Sequence, residues 1–182
     1  LRCSSARGYL ASRPANLDAM LEAEVLRIDV ENGRAAGITV RRGGEERQLR
    51  AAEGVVLSAG ALNTPRLLML SGLGPAGHLR EHGIGVIADL PGVGANLQNH
   101  PLTGVVYVAA QTIPVSRHNR AEIMGLLHTD ESGGAPDLQI LFTDTAAVTG
   151  AVFGVETCFI AASPIQPHSR GTVRLAGLTA EL

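Results

Sequence analysis

Three short stretches put reactive or ligand-binding residue types at spacings that chemistry uses. Gly72, Gly74 and Gly77 form a Gly-x-Gly-x-x-Gly, the pattern whose backbone N–H groups and following helix receive the pyrophosphate of a dinucleotide. That loop works when a strand runs into the glycines and a helix leaves them. Here the preceding residues, Pro65-Arg66-Leu67-Leu68-Met69-Leu70-Ser71, read as a short apolar helix with Thr64 as its N-cap and Pro65 in its first turn. Gly72 then falls where a helix-ending glycine belongs, Pro75 opens a second short helix over PAGHLREH, and Gly83 closes it. Punctuation between two helices is the favoured reading, with a dinucleotide loop as the alternative.

The second stretch, His78-Leu79-Arg80-Glu81-His82, matches the H-x-x-E-H of one zinc peptidase class and puts two histidines on one helix face. Arg80 would bring a positive charge to the metal, and no downstream carboxylate stands out as a third ligand, so surface histidines on an amphipathic helix are expected and no metal site is assigned, with a zinc hydrolase as a minor alternative. The third, Val56-Leu57-Ser58-Ala59-Gly60, resembles a nucleophile elbow, but the elbow needs a small residue where Val56 stands. A serine hydrolase stays as a minor alternative. His100, His118, His128 and His168 have no partner at a telling spacing and read as structural or solvated.

Composition narrows the classes. The 182 residues carry a formal charge of −2, enough chain for one large or two small domains and without the basic excess of a nucleic-acid binder. Hydrophobic residues make up 45%, yet no apolar run nears the ~20 residues of a membrane span. Cys3 and Cys158 suggest neither a disulfide framework nor a cysteine zinc site, so a soluble, cytoplasmic protein is expected. The start, LRCSSARGYL, has no Met and no signal-peptide order, and TVRLAGLTAEL stops just after a strand-like stretch; both ends are expected to be cut.

The elements that would position these residues follow from pattern. Residues 2–10 read as a short helix started by Ser4 or Ser5, and residues 16–30 turn strand-like towards Val25, Ile28 and Val30. Turns at Glu31-Asn32-Gly33-Arg34 and Gly43-Gly44 separate strands over 35–41 and 45–50, which makes a small antiparallel meander. Gly54-Val55-Val56-Leu57-Ser58 reads as a strand of a parallel sheet, buried on both faces and breaking at Ala59-Gly60-Ala61 into the Thr64 helix. Such a turn of small residues lets a ligand approach a strand end. Residues 86–90 are a short strand and 91–101 an irregular turn, where a boundary is placed. Beyond it, strands are expected over 102–109, 137–142, 156–163 and 171–175, joined by polar links such as VSRHNR and HTDESGGAP; the pattern suits an antiparallel sheet in a second domain.

The run from Gly54 to Pro75, GVVLSAGALNTPRLLMLSGLGP, closely resembles the second signature of the glucose-methanol-choline (GMC) flavin oxidoreductases, nearest the choline dehydrogenase-like branch. The resemblance extends to Ser4-Ser5-Ala6-Arg7-Gly8-Tyr9-Leu10 upstream and to Asp89-Leu90-Pro91-Gly92-Val93-Gly94-Ala95-Asn96-Leu97-Gln98 downstream. Weaker echoes lie at Pro136-Asp137-Leu138-Gln139 and Pro167-His168-Ser169-Arg170-Gly171-Thr172-Val173. It implies an α/β plus α+β fold, with residues 1–100 as part of an FAD-binding domain and 101–182 as part of an antiparallel substrate domain. It also implies FAD-dependent oxidation of a small alcohol to an aldehyde or ketone, with hydride passing to the flavin. Glu24 and Val25 would offer backbone contacts to the adenine, and Ser58, Ala59 and Gly60 would line the adenosine side of FAD.

Departures from the family pattern are equally specific. The family's own dinucleotide glycines lie before anything present here, and its catalytic histidine and the His or Asn partner lie beyond residue 182, so no catalytic residue is named. Asn99 stands where many relatives carry Asp, and residues 112–135 are shorter than the usual substrate-domain insert, which leaves the alcohol open. The chain is expected to be an inactive central fragment, with weak or absent FAD binding and self-association through exposed core surface. A non-catalytic binding or assembly module that reuses the fold is the alternative.

Overall fold

In the computed structural model, which describes residues 3–113, 123–129, 134–144 and 156–178, both expected hairpin turns have positive φ at two successive residues. The angles are 50° and 76° at Asn32-Gly33, and 59° and 84° at Gly43-Gly44. That left-handed pair lets a two-residue turn match the twist of its strands. The product is an antiparallel meander of β1 (Glu24–Glu31), β2 (Arg34–Arg42) and β3 (Glu45–Arg50), with Ile38 opposite Ile28 on one side and Leu49 on the other. The strand tendency read over residues 16–30 is realised only from Glu24. Near the start of the chain the helix shrinks to a π-helical turn over Ala6–Leu10, where the Ser4 hydroxyl accepts the Arg7 N–H at 3.2 Å.

Helix α1 (Gly60–Leu70) departs from expectation at its start. It begins at Gly60 rather than after Thr64 and runs through Pro65. Proline forfeits one intrahelical hydrogen bond, and the burial of Leu67 and Met69 offsets that loss. Ser71 fastens its far end: the hydroxyl accepts the Ile28 N–H at 2.8 Å and donates to the Leu67 carbonyl at 2.6 Å, tying α1 to β1. Gly72, with φ of 79°, ends the helix as expected, and Gly83, with φ of 69°, does the same for α2 (Ala76–Glu81). The Asp89 carboxylate accepts the Ala76 N–H at 2.9 Å and so caps α2.

The stretch expected as a buried parallel strand, residues 54–58, pairs with no strand among the described residues, and Val56 is 92% exposed. A parallel strand needs a ladder partner and cover on both faces, and the described residues supply neither. The parallel pairing that is present is short, between β4 (Leu73–Gly74) and β5 (Ala88–Asp89); β5 is all that forms of the strand read over 86–90.

The core of this part is Met69, Leu79 and Leu175, packed with Leu70, Ile84, Val86 and Val93. Leu175 reaches it from far along the chain, because the chain divides into two compact units: Asn96–Gly171, and the residues on either side of that segment. Of the strand expected over 171–175, only an isolated bridge from Gly171 to Leu97 forms. From Thr172 onward the chain is back in the first unit, where the Val173 N–H donates to the Gly94 carbonyl at 2.7 Å.

The second unit is an antiparallel sheet of β6 (Thr103–Val108), β7 (Ile123–Leu127), β8 (Leu138–Asp144) and β9 (Thr157–Pro164), in the order β6-β9-β8-β7. Three of the four stand where strands are expected. β7 is not expected from the sequence: it lies between the polar links VSRHNR and HTDESGGAP, and its five residues, IMGLL, are too few to show a period. The mixed α/β class with antiparallel sheets expected from the sequence is the one observed.

Candidate cofactor-binding site

Glu24 and Val25 open β1, Ser58 ends the unpaired segment 54–58, and Ala59 follows it as the N-cap of α1. The Ser71 clamp holds α1 against β1, and a cavity of about 570 Å³ lies among the three segments. Those four residues all line it. Gly60, the fifth residue singled out, is not in its lining. It is the first residue of α1, with φ of 85° and open space where a Cβ would project.

The size is within the range of small-molecule and cofactor sites, roughly 300–1,000 Å³. The wall is mainly aliphatic, with Ile38 from β2, Val55 and Leu57 from the segment before α1, and Leu67 from α1. Besides Ser58, three polar side chains join it. Glu24 is already engaged, its carboxylate 3.4 Å from the Arg41 guanidinium. Asn63 and Arg66 line the cavity from α1, and neither is recognisable from the sequence when the helix is started at Thr64. With the helix begun at Gly60, residues 63, 66 and 67 fall on one face at i, i+3 and i+4.

The other sequence candidates are placed differently. Gly72 and Gly74 pack rather than bind: a Cβ on Gly72 would come within 2.5 Å of the Gly85 carbonyl oxygen, and one on Gly74 within 2.9 Å of the Met69 side chain. The glycines therefore punctuate two helices. His78 is a buried histidine, 6% exposed, and not the surface residue expected. Its Nε2 accepts the Leu175 N–H at 3.0 Å, and its Nδ1 lies 2.9 Å from the Arg174 guanidinium and 3.4 Å from the Glu81 carboxylate. A nitrogen that accepts a backbone hydrogen bond has no lone pair to give a metal. His82 stands edge-on to it, ring centroids 4.7 Å apart, and among the described residues no three His, Cys, Asp or Glu side chains come together as a ligand set.

No histidine lines the cavity beside Ser58, so the elbow reading has no base there. The His100 Nε2 lies 3.1 Å from the Ile165 carbonyl oxygen in the second unit, His128 and His168 are exposed, and His118 and the VSRHNR link lie outside the described residues. Cys3 and Cys158 are both free. Among the described residues no helix is long and apolar enough to cross a membrane.

The fold is that of known oxidoreductases. Pyridoxine 4-oxidase from Mesorbium loti superposes with a TM-score of 0.72 at 29% identity, covering 87% of this chain and 32% of its own. A variant of the Aspergillus oryzae formate oxidase gives 0.70 at 24%, covering 87% and 37%, and shares the fold. Within that class, the sequence model described as GMC oxidoreductase matches residues 1–102, more than half of the 182 residues. The chain belongs to the GMC oxidoreductases. It is 50% identical over 103 residues to an oxygen-dependent choline dehydrogenase of Sinorhizobium medicae, covering 54% of this chain and 18% of that protein. It is 41% identical over 138 residues to the choline oxidase of Arthrobacter globiformis, covering 72% and 25%. The chain thus spans a quarter or less of the length of these curated relatives.

Proposed function

We propose that this chain carries the nucleotide-holding part of an FAD-dependent, choline dehydrogenase-like alcohol oxidoreductase and does not turn over substrate by itself. One observation supports the reading above others: Glu24, Val25, Ser58 and Ala59, which the family resemblance puts beside the adenosine half of FAD, line a single cavity. They come from segments more than thirty residues apart, inside the region matched by the family. The residues fit such a group. Aliphatic walls suit a purine ring, the backbone of residues 54–58 pairs with no strand among the described residues, and small side chains at Ser58 and Ala59 admit close approach.

When bound, FAD would supply the hydride acceptor for an alcohol donor. This chain's residues would bind and orient the nucleotide half. The alcohol proton is a separate matter, because it needs a general base within hydrogen-bond reach. No described histidine lines the cavity, and the His78 ring is locked by Leu175, Arg174 and Glu81. Residues 1–100 are read as the cofactor-holding part and residues 101–182 as the start of a substrate-binding part, except that the chain from Thr172 onward groups with the former.

The test is the visible absorbance spectrum of the purified 182-residue chain before and after added FAD, with intact mass and choline turnover measured on the same sample. Weak FAD uptake without turnover is the expected result. Turnover would remove the non-catalytic part of the proposal. No perturbation of FAD, together with no ligand effect on the amides of Glu24, Val25 or Ser58, would remove the cofactor part.

A further inference from the structure

We propose that His78 is a pH-sensitive latch: with no proton on Nε2 its ring fastens Leu175 into the core of the first unit, and a second proton on the ring releases it. The proposal is independent of the cofactor reading and rests on what faces the two ring nitrogens. The Leu175 N–H points at Nε2 from 3.0 Å, and the Arg174 guanidinium lies 2.9 Å from Nδ1. Both groups are donors, and a neutral imidazole has one nitrogen lone pair to offer. The backbone donor has the stronger claim. Its hydrogen bond is buried, so the Leu175 N–H cannot turn to water instead, whereas the Arg174 side chain is 57% exposed and has the Glu81 carboxylate 3.7 Å away. Nε2 is therefore the acceptor, and the proton of the neutral ring sits on Nδ1, facing the Glu81 carboxylate at 3.4 Å.

A second proton has only Nε2 to occupy. There it meets the Leu175 N–H, and a buried hydrogen bond becomes a contact between two donors. The charges around the ring do not reverse this. Arg174 on the returning segment is positive, Glu81 on α2 is negative but largely exposed, and His82, its ring edge-on at 4.7 Å, can itself take up a proton. Asp89, at the start of α2, is engaged by the Ala76 N–H. Closure and the second proton exclude each other, so the closed form is favoured at higher pH and lost as pH falls. What the latch holds shut is the core, because Leu175 packs with Met69 and Leu79. The chain re-enters the first unit at Thr172, and its other attachment there, from the Val173 N–H to the Gly94 carbonyl at 2.7 Å, contains nothing that titrates. Acid should free Leu175 first.

Amide hydrogen exchange of the 182-residue chain, followed by NMR at about pH 7.5 and about pH 5.5 and corrected for intrinsic rates, reads the latch across the range in which histidines ordinarily titrate. The Leu175 amide is expected to lose about tenfold in protection at the lower pH, as uptake of one proton allows. The Ile28 amide, held by the Ser71 hydroxyl, should keep its protection. His78→Gln, whose side-chain oxygen can accept the Leu175 N–H but takes up no proton, should flatten the response, and His82→Gln should retain it. Should His78→Gln fail to fold, the ring nitrogen shifts of the unsubstituted chain test the same point, with Nε2 expected to carry no proton near neutral pH. Leu175 protection that is constant with pH, or that falls equally in His78→Gln, would overturn the latch. So would a proton on Nε2 near neutral pH, a fall that His82→Gln alone abolishes, or an equal fall at Ile28, which would mean that the whole unit opens.

Discussion

Gly94 has φ of 79°, and the Val173 carbonyl oxygen stands where its Cβ would project. Alanine there meets a backbone conformation that disfavours side chains by roughly 1–2 kcal/mol, and a backbone atom that cannot step aside. Gly94→Ala is therefore expected to lower the urea midpoint with an unchanged m-value; an unchanged midpoint would show that residues 172–175 are not held where the structure places them. Ser71→Ala tests a different contact. The Ile28 N–H loses a buried acceptor 43 residues away in sequence, which should cost about 1–3 kcal/mol and loosen α1 from β1. Loss of ligand affinity that tracks the loss of stability would tie the clamp to the cavity. Glycine at position 72 was legible as helix punctuation because the reason is local. The roles of Ser71 and His78 were not, because each is defined by a partner far along the chain: Ile28 for one, Leu175 for the other. Nothing in HLREH distinguishes a buried acceptor from a surface histidine.

Among the elements, the meander was readable because both of its turns carry the residue types that tolerate positive φ. The start of α1 was not, because a proline with a threonine before it is the ordinary mark of a helix beginning, and here the helix continues through it. That misreading hid Asn63 and Arg66, whose place in the cavity depends on the extra turn. The 54–58 segment failed for another reason: an apolar, β-branched run specifies burial, but the ladder that would make it a strand belongs to its neighbours. The meander also carries a charge device that can be tested. The Arg50 guanidinium hydrogen-bonds the Glu31 carboxylate and holds its pKa below the ordinary value of 4.5. A depressed carboxyl pKa means that the folded state favours the ionised form, so the contribution is present above about pH 4.5 and is lost as pH falls through the folded value. Glu31→Gln should therefore lower the melting temperature slightly near neutrality and make its fall on acidification shallower. Because the pair is exposed, added salt should shrink the difference. Parallel acid limbs for the two proteins would mean that Arg50 contributes nothing to the meander.

At the scale of the molecule, the second unit presents a sheet whose apolar residues face solvent on both sides. Val105 and Val106 are adjacent in β6, so their side chains point to opposite faces, yet they are 55% and 60% exposed. Ile123 and Met124 in β7 repeat the pattern at 63% and 56%. Among the described residues the strand order leaves β6 and β7 at the two edges, and β6, TGVVYV, has no charged residue to discourage pairing. Burial of such a surface is favourable wherever a second surface offers itself. The chain on its own is therefore expected to associate, with sedimentation coefficients that rise across the micromolar to millimolar range. Val106→Lys, which puts a charge on the free edge, should reduce association without changing nucleotide affinity, since β6 takes no part in the cavity. A wild-type chain that sediments as one monomeric species over that range, with a cooperative melt, would show that the exposed faces of β6 and β7 carry no adhesive free energy. If association instead persisted in Val106→Lys, the contact would have to run through a surface other than the β6 edge, and β7 would be the next strand to charge.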